Sequence, residues 1–486
     1  MKEYQNYING KWQNSKSKKT FDSLNPATEK SIGAFQLSTK EDVHEAIRSA
    51  EKAFQKWNAT PAPKRAEYLF EISRLLKKNK ERLAESMTEE MGKVLKETRG
   101  DVQEAIDVFE YMAGEGRRLF GNTTPSELKH KIAFTQRRAI GVVGIITPWN
   151  FPLAIPAWKI APALVCGNSI VFKPSSDTPR TATQLIQIIE EAGVPDGVVN
   201  MVTGGAQEVG KEIIMNEKIR GISFTGSRET GKWITQNAGI KKIGLELGGK
   251  NAIIVMEDAD LDNAVEGIIW GAFGTTGQRC TACSRVIVHK NVAKQLEEKL
   301  LEKTKKLRLG NGLDKKTDVG PLINKAAQEK AFLYTQIGKK EARMICGGKK
   351  AEMEGYFFEP TIFKNVKPNT RIAQEEIFGP VLSMITIKDF NEAIRVCNGI
   401  EYGLSSSIYT QNIQKAMLAI EQIEAGITYV NSSTIGAEVH LPFGGVKQTG
   451  NGTREAGIEG IHEFTETKTI YIDYSGKLQK AQGIDE

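Results

Sequence analysis

Three observations predict an α/β protein built as two lobes. The chain has 486 residues, more than a single hydrophobic core usually serves. Short apolar runs alternate with helix-period segments twice over, as parallel β-α-β units do. Hydrophobic residues make up 40% and charged residues 26%, the balance of an ordinary globular enzyme-sized chain.

Residues 1–36 carry turn signals at Asn9-Gly10 and Asn25-Pro26 and read as short strands. From Thr39 to Gly92 the pattern is helical. Val43, Ala46, Ile47 and Ala50 recur at helix spacing, and Pro63 opens a second helix with Leu69, Ile72, Leu75 and Leu76 on one face. A further helix covers 97–113. Residues 119–138 are polar and turn-rich, and 139–147 is a continuous apolar run read as a buried strand. The first alternation follows, with strands expected at 169–173, 198–202, 221–225 and 243–247. Helices are expected between them at 155–166, 179–192, 206–215 and 229–238.

The pattern restarts with strand 252–256, helix 261–273, strand 285–289 and helices 291–307 and 324–340. Strands near 357–366 and 380–387, helix 389–398, strand 406–409, helix 413–423 and strand 427–431 complete it. Residues 463–474 alternate like an exposed strand. With no partner left in their own lobe, they are expected to pair across a subunit interface.

Composition narrows the function classes. The net charge is 66 − 59 = +7, but lysines alternate with acids, as in 297–306, which marks solvated helix faces rather than a nucleic-acid stripe. Five cysteines fit a reducing compartment better than a disulfide framework. Cys280 and Cys283 form one C-x-x-C without a second, and histidines 44, 130, 289, 440 and 462 lack ligand spacing, so no metal is expected. The first residues have no apolar core of a secretory signal. The longest apolar stretch, 139–172, is broken by Pro148, Pro152, Pro156 and Pro162 and carries Lys159, so it cannot be a spanning helix. A soluble cytoplasmic protein is expected.

Four segments carry chemistry. Cys280 follows a run of small residues (Gly271, Ala272, Gly274, Thr275, Thr276, Gly277) that lets the backbone turn sharply beneath a cleft. Its thiol needs only a modest lowering of pKa to attack at neutral pH, or else it is a buried structural cysteine. Glu246 ends an expected strand before Gly248 and Gly249, where a carboxylate protrudes into a cleft or simply lies at the surface. Asn150, held between Trp149 and two prolines, is either an oxyanion donor or part of a plain turn. Lys173, Ser176, Gly226 and Ser227 stand at strand-to-helix junctions suited to ribose and phosphate, although no G-x-G-x-x-G is present.

Six segments stand in order: Pro148-Trp149-Asn150-Phe151-Pro152, Phe224-Thr225-Gly226-Ser227, Leu245-Glu246-Leu247-Gly248-Gly249, Gly277-Gln278-Arg279-Cys280, Glu375-Glu376-Ile377-Phe378-Gly379-Pro380 and Pro442-Phe443-Gly444-Gly445. Together, from about residue 5 to 475, they closely resemble the aldehyde dehydrogenase superfamily. That resemblance implies an atypical Rossmann-type cofactor domain of residues 1–118 and 140–248 and an α/β catalytic domain of 249–462. It also implies a small β oligomerisation arm of 119–139 and 463–486.

The resemblance also implies roles. Cys280 would form a thiohemiacetal and then a thioester, with Asn150 and the Cys280 N–H as oxyanion donors and Glu246 activating the hydrolytic water. Ile146, Thr147, Trp149, Lys173, Ser176, Ala206, Gly210, Gly226, Ser227, Glu376 and Phe378 would hold the nicotinamide cofactor. Phe151, Trp158, Arg279 and Phe443 would line the aldehyde site, although Trp158 and Phe443 serve equally well as core. Many NAD-specific members carry a Glu where Ser176 stands, so NADP is expected alongside NAD. Gly277–Ala282 and Gly436–His440 look similar to 2-oxoglutarate semialdehyde dehydrogenases, with a broad aldehyde range equally open. A homodimer or homotetramer is expected. The competing readings are a CoA-acylating semialdehyde dehydrogenase, a catalytically idle binding protein and a C-x-x-C redox protein.

Overall fold

The computed structural model describes residues 2–482, so residues 483–486 of the expected arm lie outside the described residues. Two seven-stranded sheets carry the chain. The first runs in the order Lys242–Glu246, Ile219–Thr225, Val142–Ile146, Ser169–Lys173, Val199–Met201, Asn6–Ile8 and Lys11–Gln13. Its first five strands are parallel, and the N-terminal hairpin is added antiparallel to Met201. Ser169–Lys173 is buried throughout, as expected of a parallel strand covered on both faces.

The second sheet orders Arg343–Cys346, Thr361–Lys364, Val381–Ile387, Cys283–His289, Asn251–Val255, Ser405–Tyr409 and Ile427–Val430. All are parallel except the first. The Arg343–Cys346 strand was not expected from the sequence. It is a short edge strand without a clear apolar alternation, and its pairing with Thr361–Lys364 is what defines it.

The helical stretch near the N-terminus resolves into Lys40–Ala59, Ala62–Lys78, Lys80–Met91 and Leu95–Glu115. The expected strand 139–147 is shorter, Val142–Ile146, and the stretch 119–138 read as polar and turn-rich holds the strands Thr123–Pro125 and Lys131–Ala139. The break between Ala139 and Val142 falls at Gly141, whose φ of 129° suits only glycine.

The strand expected at 463–474 forms. Thr465–Asp473 has a partner within the chain and pairs along its full length with Lys131–Ala139, in a three-stranded antiparallel sheet completed by Thr123–Pro125. The partner lies over 300 residues away in sequence, beyond the reach of reasoning from neighbouring elements. The other side of Thr465–Asp473 is an edge of this sheet, and Tyr471 and Ile472 on it are exposed. No helix among the described residues is long and apolar enough to cross a membrane.

Residues 441–464 return from the second sheet to the first. Leu247 N–H donates to Thr449 O at 2.7 Å, and Glu246 bridges to Gly450. Phe443 bridges to Glu455 within this return. The site lies where the return, the C-terminal strand ends of the first sheet and the Cys280 loop converge.

Candidate active site

Cys280 follows the helix Leu261–Phe273 through a tight turn, Gly274–Gly277. Thr275 and Thr276 have φ of 50° and 57°, a region that β-branched residues avoid, and Gly277 continues at 69°. Asn251 then fixes the loop from the next strand, donating from Nδ2 to Cys280 O at 2.7 Å and to Ala282 O at 3.0 Å. Gly249 makes this approach possible: a Cβ there would stand 2.5 Å from Cys280 O.

Cys280 and Glu246 line one cavity of about 140 Å³ together with Phe151, Trp158, Phe443 and Glu455. Trp158 and Phe443 pack edge to face at 4.8 Å and are buried, so the two readings of these residues coincide: they are core and cavity wall at once. A wider, charged cavity of about 820 Å³ adjoins the first, and Glu104, Phe151, Trp270 and Arg279 line both.

The resting site raises the Cys280 thiol instead of giving the modest lowering that attack at neutral pH needs. Burial, followed by the Glu246 and Glu376 carboxylates, pushes the Cys280 thiol up to about 12, so the resting group is the neutral thiol. Glu246 is itself raised well above the ordinary carboxylate range, first by burial and then by Glu455, with Lys159 opposing. Both of its carboxyl oxygens are buried without a hydrogen-bond partner. A buried, unsatisfied carboxyl beside a thiol is a group held ready for proton transfer.

Asn150 is buried and donates from Nδ2 to Gln278 O at 3.1 Å, while its Oδ1 has no partner. An amide nitrogen carries a second N–H, which is free to serve an oxyanion. Arg279 donates from Nε to Thr275 Oγ1 at 2.9 Å and from Nη2 to Glu97 at 3.1 Å, and its guanidinium lies 5.4 Å from the Phe151 ring centre. Part of its donor capacity is therefore bound into the Cys280 loop. Cys283 begins a strand of the second sheet, is buried in that lobe's core and does not line the Cys280 cavity.

The expected cofactor residues fall along the C-terminal ends of the first sheet, except Glu376 and Phe378, which come from the segment before Val381–Ile387 of the second sheet. Lys173 is buried, and burial lowers its ammonium to about 8; its Nζ donates to Pro174 O at 3.1 Å. Ser176 donates to Gly204 O at 3.2 Å. Ala206–Gly210 forms a π-helical turn, and a Cβ on Gly210 would only touch Ala206 and Lys173, so these three share one groove. Ile146 and Thr147 are buried beside it. Ser227 caps the helix Arg228–Asn237 and accepts from Thr230 N–H, while Gly226 N–H donates to Glu246 O at 3.0 Å. Trp149 and Phe378 meet edge to face at 5.4 Å, and Glu376 accepts from Gly249 N–H at 2.8 Å. The exposed helix N-terminus, the buried lysine and the unpartnered Thr225 hydroxyl together fit a polar, phosphorylated and hydroxylated ligand.

The sequence reading missed the buried charges around this site. Lys159 pairs with Glu455 and donates to Ser223 Oγ at 2.9 Å. Lys93 pairs with Asp101 at 2.6 Å. A lysine inside a wholly apolar helical stretch, as at Lys159, was the available signal: such a charge must find a partner.

The model of the aldehyde dehydrogenase family matches residues 12–470. The chain belongs to the aldehyde dehydrogenase family. It is 42% identical over 477 residues to the alpha-ketoglutaric semialdehyde dehydrogenase of Bacillus subtilis, covering 96% of this chain and 98% of that one. Among solved structures, betaine aldehyde dehydrogenase of Staphylococcus aureus in complex with NAD+ superposes with a TM-score of 0.96 at 36% identity, covering 98% of this chain and 96% of that one. An NADP-dependent enzyme of E. coli gives 0.95 at 37%, covering 97% and 98%. This aldehyde dehydrogenase is an oxidoreductase that oxidises aldehydes to carboxylic acids with a nicotinamide cofactor. Neither a CoA-acylating enzyme nor an idle scaffold has support among these relatives.

Proposed function

We propose that this aldehyde dehydrogenase acts on a semialdehyde carrying a carboxylate, of the 2-oxoglutarate semialdehyde type, and uses NADP as well as NAD. The observation that carries the chemistry is the shared cavity of Cys280 and Glu246. Cys280 Sγ attacks the aldehyde carbon, and its proton passes to the ionised form of Glu246. The resulting oxyanion is held by Asn150 Nδ2 and the Cys280 N–H. Two such donors each contribute roughly 3 kcal/mol where water is excluded. The bound nicotinamide supplies a hydride acceptor. Glu246 releases that proton to solvent and, ionised again, takes a proton from water as the water attacks the thioester. It hands this proton to the departing Cys280 sulfur, so the acid leaves and Cys280 is restored as a thiol. A carboxyl whose pKa burial raises is a stronger base when ionised than an exposed one.

The wider cavity carries both signs of charge, Arg279, Lys96 and Lys315 together with Glu104, Asp314 and Asp318. Similarity to the B. subtilis enzyme supports the acidic substrate. Comparing kcat/KM for 2-oxoglutarate semialdehyde with that for pentanal tests it. A ratio well above one is expected, and a preference for pentanal rejects it. NADP use rests on Ser176, which brings no carboxylate of its own against a 2′-phosphate, and on Lys173, whose ammonium also feels Asp177. Phe151, Trp158 and Phe443 guide the aldehyde, while Ile146, Thr147, Trp149, Ala206, Gly210, Gly226, Ser227, Glu376 and Phe378 hold the cofactor. We further assign residues 1–118 and 140–248 to a cofactor domain, 249–462 to a catalytic domain, and the strands of 119–139 and 463–486 to an arm that joins subunits of a cytoplasmic homo-oligomer. The exposed edge strand Thr465–Asp473 supports the arm.

A further inference from the structure

We propose that the helix Leu95–Glu115 keeps the two oxyanion donors in register, with Glu97 fixing the Cys280 loop and Asp101 fixing the Asn150 loop. The inference rests on the roles proposed above for Cys280 and Asn150. Neither Glu97 nor Asp101 touches the reacting atoms, so both are positioning residues.

Glu97 Oε1 accepts two hydrogen bonds from the Cys280 loop. Thr275 N–H donates to it at 2.8 Å and Arg279 Nη2 at 3.1 Å. Thr275 and Thr276 are the two left-handed threonines. Such backbone persists only where its surroundings over-determine it, and the bond to Glu97 anchors the start of the segment. Its far side is held by Thr276 Oγ1 on Gly320 O at 2.9 Å and by Gln278 Oε1, which accepts Ile323 N–H at 2.9 Å.

Four residues further along the same helix face, Asp101 serves the other donor. Its Oδ1 accepts Ala154 N–H at 2.8 Å, at the start of the helix Ala154–Cys166 that follows Asn150. Its Oδ2 takes the Lys93 ammonium at 2.6 Å, which in turn lies 3.7 Å from the centre of the Phe151 ring. The circuit closes directly between the two loops, because Asn150 Nδ2 donates to Gln278 O at 3.1 Å. One rigid helix thus grips both loops at backbone N–H groups. Directional bonds to backbone fix position in a way that apolar packing does not.

Single-turnover formation of NAD(P)H at saturating cofactor and aldehyde tests the proposal. Glu97→Ala is expected to slow it by about 10²-fold, the scale of a sub-ångström to 1 Å misplacement, with the dissociation constant for NAD+ unchanged. Glu97→Gln keeps an acceptor for Thr275 N–H and is expected to stay within about threefold of wild type. Adding Thr275→Gly to Glu97→Ala is expected to recover much of the lost rate, since glycine enters the left-handed region freely. A plain structural ion pair would show no such rescue.

A wild-type rate in Glu97→Ala, a loss of NAD+ affinity in proportion to rate, or no recovery with Thr275→Gly would each overturn the proposal. Amide exchange on the wild-type enzyme needs no folded alanine variant: Thr275 and Ala154 amides exchanging as fast as exposed backbone would overturn it as well. Cys280→Ala separates the two levels. If it stays active, the proposed roles fail; if it is inactive while Glu97→Ala is fully active, only the registering role fails.

Discussion

Lys159 and Glu455 stand 296 residues apart in the chain and form a buried ion pair beside Glu246. Their side chains are 0% and 4% exposed, so neither charge is hydrated and each depends on the other. Glu455 raises the Glu246 carboxyl and Lys159 lowers it. Burial raises this carboxyl most, and the pair adjusts how readily the proposed base ionises.

Replacing Lys159 with Met leaves Glu455 and Glu246 without their cation. Removing one partner of a buried pair costs about 3–5 kcal/mol, which chemical denaturation will show. Glu246 loses the charge that favours its ionised form, so the rising limb of kcat against pH is expected to move to higher pH. A limb that stays in place would separate Lys159 from the base.

Glu246→Gln removes the base that hydrolyses the thioester while leaving its volume in place. Steady-state turnover is expected to fall by about 10²–10⁴-fold. If acylation survives, rapid mixing will show a burst approaching one NAD(P)H per subunit. Turnover near the wild-type rate would assign the water-activating proton transfer to another group.

Asn150→Ala takes away one oxyanion donor and the bond to Gln278 O. A drop in kcat of about 10²–10³-fold is expected, with NAD+ binding retained in a fluorescence titration. An effect confined to KM would remove Asn150 from the oxyanion site.

Ser176→Glu introduces a carboxylate beside Lys173. The ratio of kcat/KM for NAD to that for NADP is expected to rise about tenfold or more, because a 2′-phosphate then meets a like charge. A wild-type enzyme already favouring NAD more than tenfold would contradict the dual use proposed here.

Stability carries a pH signature at Glu104. Burial, followed by Asp101, raises this carboxyl to about 8, above its unfolded value of about 4.3. The folded state then binds the proton that the unfolded state releases, so its stabilising contribution is lost progressively as pH rises from about 4.3 to about 8 and changes little outside that window. Glu104→Gln, neutral at every pH, is expected to flatten the fall in Tm over this window. An unchanged slope would place the titration elsewhere.

Much of the site is legible in the amino-acid sequence because its chemistry is local. Cys280 announces itself by the small residues that bend the chain before it, and Glu246 by the glycines that follow it. Gly249 then proves necessary at van der Waals range, where a Cβ would collide with Cys280 O. The alternation of apolar strands and helices is legible for the same reason, since each run of five or so buried residues, such as Ser169–Lys173, writes its own period. The Thr465–Asp473 strand can be recognised in this way but its partner cannot. Period-2 alternation describes the strand itself, while the pairing with Lys131–Ala139 depends on where the fold brings both.

Residue type and short-range order suffice for the family and the α/β alternation, and the resemblance supplies the nucleophile, base and oxyanion donor proposed above. All of these are readable from the chain alone. The protonation landscape around them is a property of the folded shape. Whether Cys280 rests as a thiol, and whether Glu246 is raised, depends on burial and on charges from distant segments, Glu376, Glu455 and Lys159. Burial and long-range Coulomb fields arise only when those segments meet, and they leave no short pattern in the chain.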